Sequence, residues 1–533
     1  MGLAAAGAAS LPGKLAAEGR TRQSDWDAPS PDSRRQRARP RLNPVSFWNE
    51  ASLALVALDH SIDAKDARAP GPCAAARALG LVHIVMADAA AAVYPVDFEG
   101  FYVRGVRFPD MRHPEVFVGG AAAWILEHIY STPAHTQFIG AQRLRFLQQF
   151  DQHAFAAWNA GLTFARHKAF AARWNWNAIK VAALRSTSRY AAAPGEHEAD
   201  PFNPDQKYYG VQWGRMEPLV PQLRIGALGP GDPPGPGDRE YWRDADEVRE
   251  VGAWRAEGPT TEQLRTGMFW AYDGARLIGP PPRLYNQIVR QIAEADAMPV
   301  PDMARLLALC NVAMADAGIV AWEAKYRYRI WRPVIAIPEL YNLRRGWKPF
   351  GSPRTNPTQF ALGIDTQFRL MAQSMLGGGH RNTLRAPAKD LLAYHRACFT
   401  PNFPAYPSGH STFGSACFNM LKLVRAEHAE TRRDPGRLDG YDEFVSDELN
   451  GISIDNFQNE PRPYVPIRYR HIDHMIEDNN RSRIYLGVHW NFDCERGAES
   501  GAGIADAIYR HAYIRADDPR GGASRPRPGD RRR

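Results

Sequence analysis

FPAYPSGHSTFGSACFNMLKLV, Phe403 to Val424, is the stretch on which the fold and the site both turn. After Pro407-Ser408-Gly409 the apolar residues Phe413, Cys417, Met420, Leu421 and Val424 recur at helical spacing. The pattern predicts a helix with Ser408 and Gly409 at its N-terminus. Free amides and the helix dipole at such an end favour an anion. Gly409 lets backbone approach closely. His410, just inside the turn, is placed to act as an acid or a base.

Two further stretches supply what an anion site still needs. KYRYRIWRP, Lys325 to Pro333, carries the cations Lys325 and Arg332. SRIYLGVHWNFD, Ser482 to Asp493, carries Arg483 and a second imidazole, His489. A buried tetrahedral or trigonal-bipyramidal oxyanion bears charge that burial alone makes prohibitively costly. Lys325, Arg332 and Arg483 can neutralise it, the arginines through forked hydrogen bonds. Lys325 and Arg332 lie seven apart, so one helix would set both on one face, and Pro333 would end or kink it. Imidazole is a good nucleophile for phosphorus and a good metal ligand, which marks His489 as the group to bond the central atom. Asp493, four residues on, either orients that ring or caps a helix or pairs with an arginine.

Together, Lys-x6-Arg-Pro, Pro-Ser-Gly-His and Ser-Arg-x5-His-x3-Asp resemble the superfamily shared by vanadium-dependent haloperoxidases, type 2 phosphatidic-acid phosphatases and bacterial acid phosphatases. FWNEASLALV from Phe47, DPFNPDQKYYG from Asp200, FWAYDGARLIGPPPRLYNQIVRQI from Phe269 and DELNGISIDN from Asp447 resemble the fungal vanadium chloroperoxidases more narrowly. The resemblance implies that Lys325, Arg332, Ser408, Gly409 and Arg483 hold vanadate oxygens. It implies that His489 binds vanadium and that His410 is the acid-base group on the opposite side. Asp273 would pair with Arg483. Phe403 and Trp322 would border a halide pocket, Phe403 standing where bromoperoxidases commonly have histidine. Asn491 stands where the fungal pattern has arginine, outside the ligand set. In isolation Phe403 and Trp322 read as core aromatics, and Lys325 with its neighbouring arginines as a solvated helix face.

The expected fold is all-α: one large domain with two four-helix bundles, long ordered loops and few short strands. Helical spacing covers Ser52 to Ala64, Ala74 to Val93, Gly119 to Ser131 and Gln142 to Ala160. Helices resume at Thr261, over Pro282 to Ala295, Asp302 to Trp331, Thr358 to Leu376, Pro387 to Phe399 and Ile472 to Arg481. Pro194 to Asp246 reads as a long ordered loop. The helical domain is expected over residues 43–515, with its motif-bearing core at 320–497. Residues 1–42 and 516–533 read as disordered, rich in Arg, Pro and Ser.

The 533 residues carry a net charge of +8, much of it in those ends, as in the seven arginines from Arg515 to Arg533. Solvated tails, not nucleic-acid binding, are the expectation. The five cysteines show no CxxC spacing, so reduced thiols are expected and no zinc or iron-sulfur site. No run of 18 apolar residues suggests a transmembrane helix. MGLAAAGAASLPGK lacks the basic and apolar parts of a signal peptide, which makes a cytoplasmic location the default and leaves secretion open.

The implied activity is vanadate-dependent oxidation of chloride, bromide or iodide by hydrogen peroxide, giving hypohalous acid that halogenates organic acceptors. A soluble acid phosphatase working through phosphohistidine at the same pocket is the alternative. A noncatalytic anion-binding scaffold is a third reading, against which His410 and His489 both stand intact.

Overall fold

Proline and glycine punctuate the helices of this chain. In the computed structural model, which describes residues 42–61, 66–183, 193–202, 208–254, 258–274, 277–343, 347–353, 398–428, 431–438, 443–455, 460–462 and 464–515, a proline occupies the first turn of seven of the helices that follow. Its missing N–H is no loss there and its fixed φ suits the helix. α1 (Pro44–Asp59) is also capped by Asn43, whose side chain accepts from the Val45 and Ser46 amides. There follow α2 (Gly71–Val93), α3 (Pro114–Ile129), α4 (Pro133–Leu147), α5 (Ala154–Ala165), the one-turn α6 (Lys168–Ala171) and α7 (Trp176–Ala183). The second half holds α8 (Arg239–Val251), α9 (Thr261–Phe269), α10 (Pro281–Ala295), α11 (Val300–Tyr328), α12 (Pro333–Leu340), α13 (Gly409–Arg425), α14 (Ile472–Tyr485) and α15 (Asn491–Tyr509).

The all-α expectation holds. Apart from isolated β-bridges, extended pairing among the described residues is limited to two antiparallel pairs of two-residue strands, Ser352–Pro353 with Cys398–Phe399 and Ile454–Asp455 with Glu460–Pro461. α11 is the central beam. It packs lengthwise on α2 and also touches α13, α15, α10 and α1; α3 and α5 join it through α2, and α14 through α13 and α15. α13 and α15 cross closely because Gly501 has no side chain: a Cβ there would sit 2.5 Å from the Thr412 carbonyl oxygen. That crossing sets the start of α13, and thus Ser408 to His410, against the start of α15.

Several boundaries differ from the sequence reading. The single helix expected over Gln142 to Ala160 is two, α4 and α5, broken at residues 148–153. Outside residues 203–207, which are not described, the loop expected over Pro194 to Asp246 is packed as anticipated. Trp213 is fully buried, and buried Asp316 of α11 accepts from the Leu219 and Val220 amides at 2.7 and 3.0 Å. But its end is helical, since α8 begins at Arg239. Its charged sequence hid Tyr241, Ala245 and Val248 at i, i+4 and i+7, which it buries together with Asp244. Helices expected over Thr358 to Leu376 and Pro387 to Phe399 lie outside the described residues, except that Cys398–Phe399 is strand. The segments 1–42 and 516–533 lie outside as well, Leu42 aside.

By length and composition α2 and α11 could each cross a membrane, contrary to the expectation from the sequence. The qualifying window of each is wholly buried among other helices, which is how the core helices of a globular bundle pass the same test. Cys73, Cys310, Cys417 and Cys494 are free thiols, all buried.

Candidate active site

Lys325 and Arg332 do not share a helix. α11 ends at Tyr328, Arg329 turns left-handed at φ 54°, and Arg332 is the N-cap of α12 with Pro333 as its first residue. The two cations still converge. Lys325 Nζ donates to the carbonyls of Pro404 (2.8 Å), Ala405 (2.9 Å) and Pro407 (2.5 Å). Arg332 Nε donates to Phe403 O at 2.9 Å. Both side chains are fully buried beneath the turn that presents Ser408. Burial, with Arg332 adding to it, pulls the Lys325 ammonium well below its ordinary range. Burial lowers Arg332 to about 9, although Asp493 opposes the shift.

Ser408 caps α13, its hydroxyl accepting weakly from the Ser411 amide. Its own amide donates to Asp493 O at 2.8 Å, which ties the start of α13 to the start of α15. Gly409 admits Trp322: a Cβ would stand 3.3 Å from the indole ring.

His489 sits between the cations. Its Nδ1 lies 2.8 Å from Asp493 Oδ2, and the same oxygen accepts from the Trp490 amide at 3.1 Å. Asp493 therefore both orients the ring and caps α15, so two of the three readings left open by the sequence are one arrangement. A carboxylate only accepts, so Nδ1 carries the hydrogen and Nε2 keeps a lone pair. Arg332 Nη1 donates to that lone pair at 2.9 Å. Burial first, then Arg332, Lys325, Arg483 and His410, hold the imidazole well below its usual pKa, so it is neutral. Burial raises Asp493 to about 7, against the pull of the Trp490 amide, Lys325 and Arg332.

His410 stands across from it. Its Nε2 donates to Ala271 O at 2.7 Å and lies 3.8 Å from Asp273 Oδ1. The carbonyl can only accept, which leaves Nδ1 as the free lone pair of the neutral ring. Burial and Arg483 push His410 down to about 3, against Asp273 and the Ala271 carbonyl. Arg483, in α14 and fully buried, donates from Nη2 to Asp273 Oδ2 at 2.8 Å. The pairing expected from the sequence is present.

A cavity of about 150 Å³ opens onto these groups. Asp273, Gly409, His410 and His489 line it, with Phe403 and Trp322 as an apolar wall. The Phe403 and Trp322 rings are 4.8 Å apart, and Lys325 Nζ lies 5.1 Å from the first and 5.5 Å from the second. Lys325, Arg332, Ser408 and Arg483 form the buried layer behind that lining. The sequence reading missed Tyr209, Tyr272 and Phe413, which also face the cavity. Tyr209 and Tyr272 lie inside KYYG and WAYDG, stretches whose likeness was evident but whose individual side chains carried no chemical signal. Behind the site an aromatic cluster of Tyr241, Trp331, Tyr406, Trp490 and Phe492 stiffens the support, and α8 clamps it through Asp244 Oδ2, which accepts from the Phe492 amide at 2.7 Å.

The donor set fits a vanadate or phosphate oxyanion. Lys325, Arg332 and Arg483 are buried with Asp273 and Asp493 beside them, a helix N-terminus faces the same space, and the neutral His489 imidazole offers its lone pair there.

Residues 305–517 match the family model described as the VCPO second helical-bundle domain. Vanadium chloroperoxidase of Curvularia inaequalis is 28% identical in an alignment covering 85% of this chain and 79% of that protein. The fold resembles the first bacterial vanadium-dependent iodoperoxidase structure, with a TM-score of 0.62 at 17% identity, covering 89% of this chain and 97% of that one. It also resembles an apo-type bacterial vanadium-dependent chloroperoxidase, with a TM-score of 0.54 at 16% identity over 83% and 95% of the two chains. The motif residues gather round one cavity, and the chain is similar over most of its length to a vanadium chloroperoxidase and shares the fold of bacterial vanadium-dependent haloperoxidases.

Proposed function

We propose that this enzyme uses vanadate to oxidise halide with hydrogen peroxide, and that the hypohalous acid formed halogenates organic acceptors. The observation that carries the proposal is His489: a neutral imidazole, locked by Asp493 with its Nε2 lone pair turned into a nest of buried cations. Bound vanadate would supply Lewis acidity toward peroxide without changing its own oxidation state. The chain does the rest. His489 anchors the metal through Nε2. Arg332, Arg483, Lys325, Ser408 and Gly409 neutralise and orient its oxygens. His410, with Nδ1 free, accepts a proton from incoming peroxide and returns one as the oxidised halide leaves. Asp273 steadies His410 and Arg483 together. Phe403 and Trp322 exclude water on the side where a halide approaches.

His489→Ala removes the imidazole lone pair that Asp493 aims into that nest. The variant is expected to retain its fold and lose stable vanadium binding, measured as metal stoichiometry after desalting. Normal stoichiometry in the variant contradicts the role given to His489.

A further inference from the structure

We propose that Tyr272 is a positioning residue, whose anchored phenol holds a left-handed backbone turn that aims the Ala271 carbonyl and the Asp273 carboxylate at His410 and Arg483. Tyr272 adopts φ 37°, a conformation that side-chain-bearing residues rarely take and that persists only where the surroundings over-determine it. The residues on either side of it bond the polar groups of the site. Ala271 O accepts from His410 Nε2, and Asp273 meets Arg483 and His410. Relaxing the turn would rotate both acceptors away together.

What holds the turn is visible at the other end of the side chain. The fully buried Tyr272 hydroxyl accepts from the Asp447 amide at 2.8 Å and donates to Gln287 Oε1 at 3.1 Å. Asp447 is a hub. Its carboxylate accepts from Arg283, from Gln287 Nε2 at 2.9 Å and from Asn450 Nδ2 at 3.0 Å. Arg283 in turn donates to Leu53 O of α1 and Ile278 O. The DELNG stretch, none of whose residues lines the cavity, thereby acquires a function: it fixes the phenol, and the phenol fixes the turn. A side chain that merely filled core space would need neither the paired hydroxyl nor the left-handed backbone.

The role rests on the haloperoxidase reading, so one arm of its test avoids turnover. Tyr272→Phe keeps the ring and removes both hydroxyl contacts. In full-length protein without vanadate, ring-nitrogen NMR of labelled histidine, with His410 assigned by His410→Gln, reads its tautomer directly. Wild type is expected to show hydrogen on Nε2 alone, and Tyr272→Phe a mixture of both tautomers. Inorganic phosphate affinity, governed by the cations, should change by less than about twofold, while vanadate-loaded turnover falls about tenfold at unchanged halide KM. Gln287→Met, which removes the acceptor and leaves the tyrosine, should shift both readouts in the same direction by less. An unchanged His410 tautomer in a folded Tyr272→Phe protein would overturn the proposal. Loaded wild type without halide oxidation would refute the haloperoxidase reading instead, and the tautomer arm would still decide the role of Tyr272.

Discussion

His489 and Asp493 show how one short spacing does two jobs. Four residues apart, they meet across the first turn of α15, and Asp493 Oδ2 serves the ring and the Trp490 amide at once. Asp493→Ala frees the ring to rotate and to carry its hydrogen on either nitrogen. Vanadate affinity should weaken by about 10- to 100-fold, measured by titration followed through metal retention. Affinity equal to wild type would show that packing alone orients His489. Phe403 gives a second test at this scale. It lies against Lys325 and Arg332 with its ring in the cavity wall, and brings no hydrogen-bonding group of its own to that wall. Chloride, the hardest of the common halides to oxidise, should therefore be a substrate as well as bromide. Phe403→His should lose chloride oxidation first. Steady-state rates with each halide decide it: a wild type that oxidises bromide and never chloride would end the use of Phe403 as a marker of chloride activity.

Among the elements, α2 carries a clear pH dependence. His83 is fully buried. It donates from Nδ1 to Leu79 O at 2.7 Å and faces Asn49 Nδ2 at 3.0 Å, in an amide network that runs on through Asn286 to Asn311 and so joins α1, α10 and α11. Burial lowers its pKa from 6.5 to about 4. Over that interval the unfolded chain binds more protons than the folded one, so stability is lost as pH falls. The loss should reach about 3 kcal/mol between pH 6.5 and 4. His83→Gln cannot titrate and should show a flatter profile by that amount in denaturant melts; parallel profiles would contradict it. The raised carboxyls Asp88 and Asp316 are common to both proteins and cancel. How legible the elements were follows from their composition. α2 and α11 announce themselves through long apolar runs. α8 was hidden because nine of its residues are charged or small and its apolar stripe is thin. The end of α11 was misplaced because Lys-x6-Arg-Pro fits a continuous helix as well as a helix, a left-handed Arg329 and a new cap; only the tertiary fold selects the second.

For the molecule as a whole, the site exists because three distant segments are brought together by helices that share α11 and by the close crossing of α13 and α15. Every site residue expected from the sequence is found either in the cavity wall or in the charged layer behind it. Chemistry made those residues legible, since two imidazoles and three cations at fixed spacings have few other uses. Tyr209, Tyr272 and the α8 clamp were not legible, because tyrosines and an acidic helix have many uses and their roles arise only from what they touch. The central claim is that this cavity serves vanadate-dependent halide oxidation and not phosphate-ester hydrolysis. The direct measurement is bromination of a phenolic dye by the purified protein with hydrogen peroxide, before and after vanadate loading, beside hydrolysis of an aryl phosphate by the unloaded protein. The account predicts dye bromination only after loading, blocked when phosphate competes during loading. Robust phosphatase turnover with no bromide oxidation after loading would contradict it.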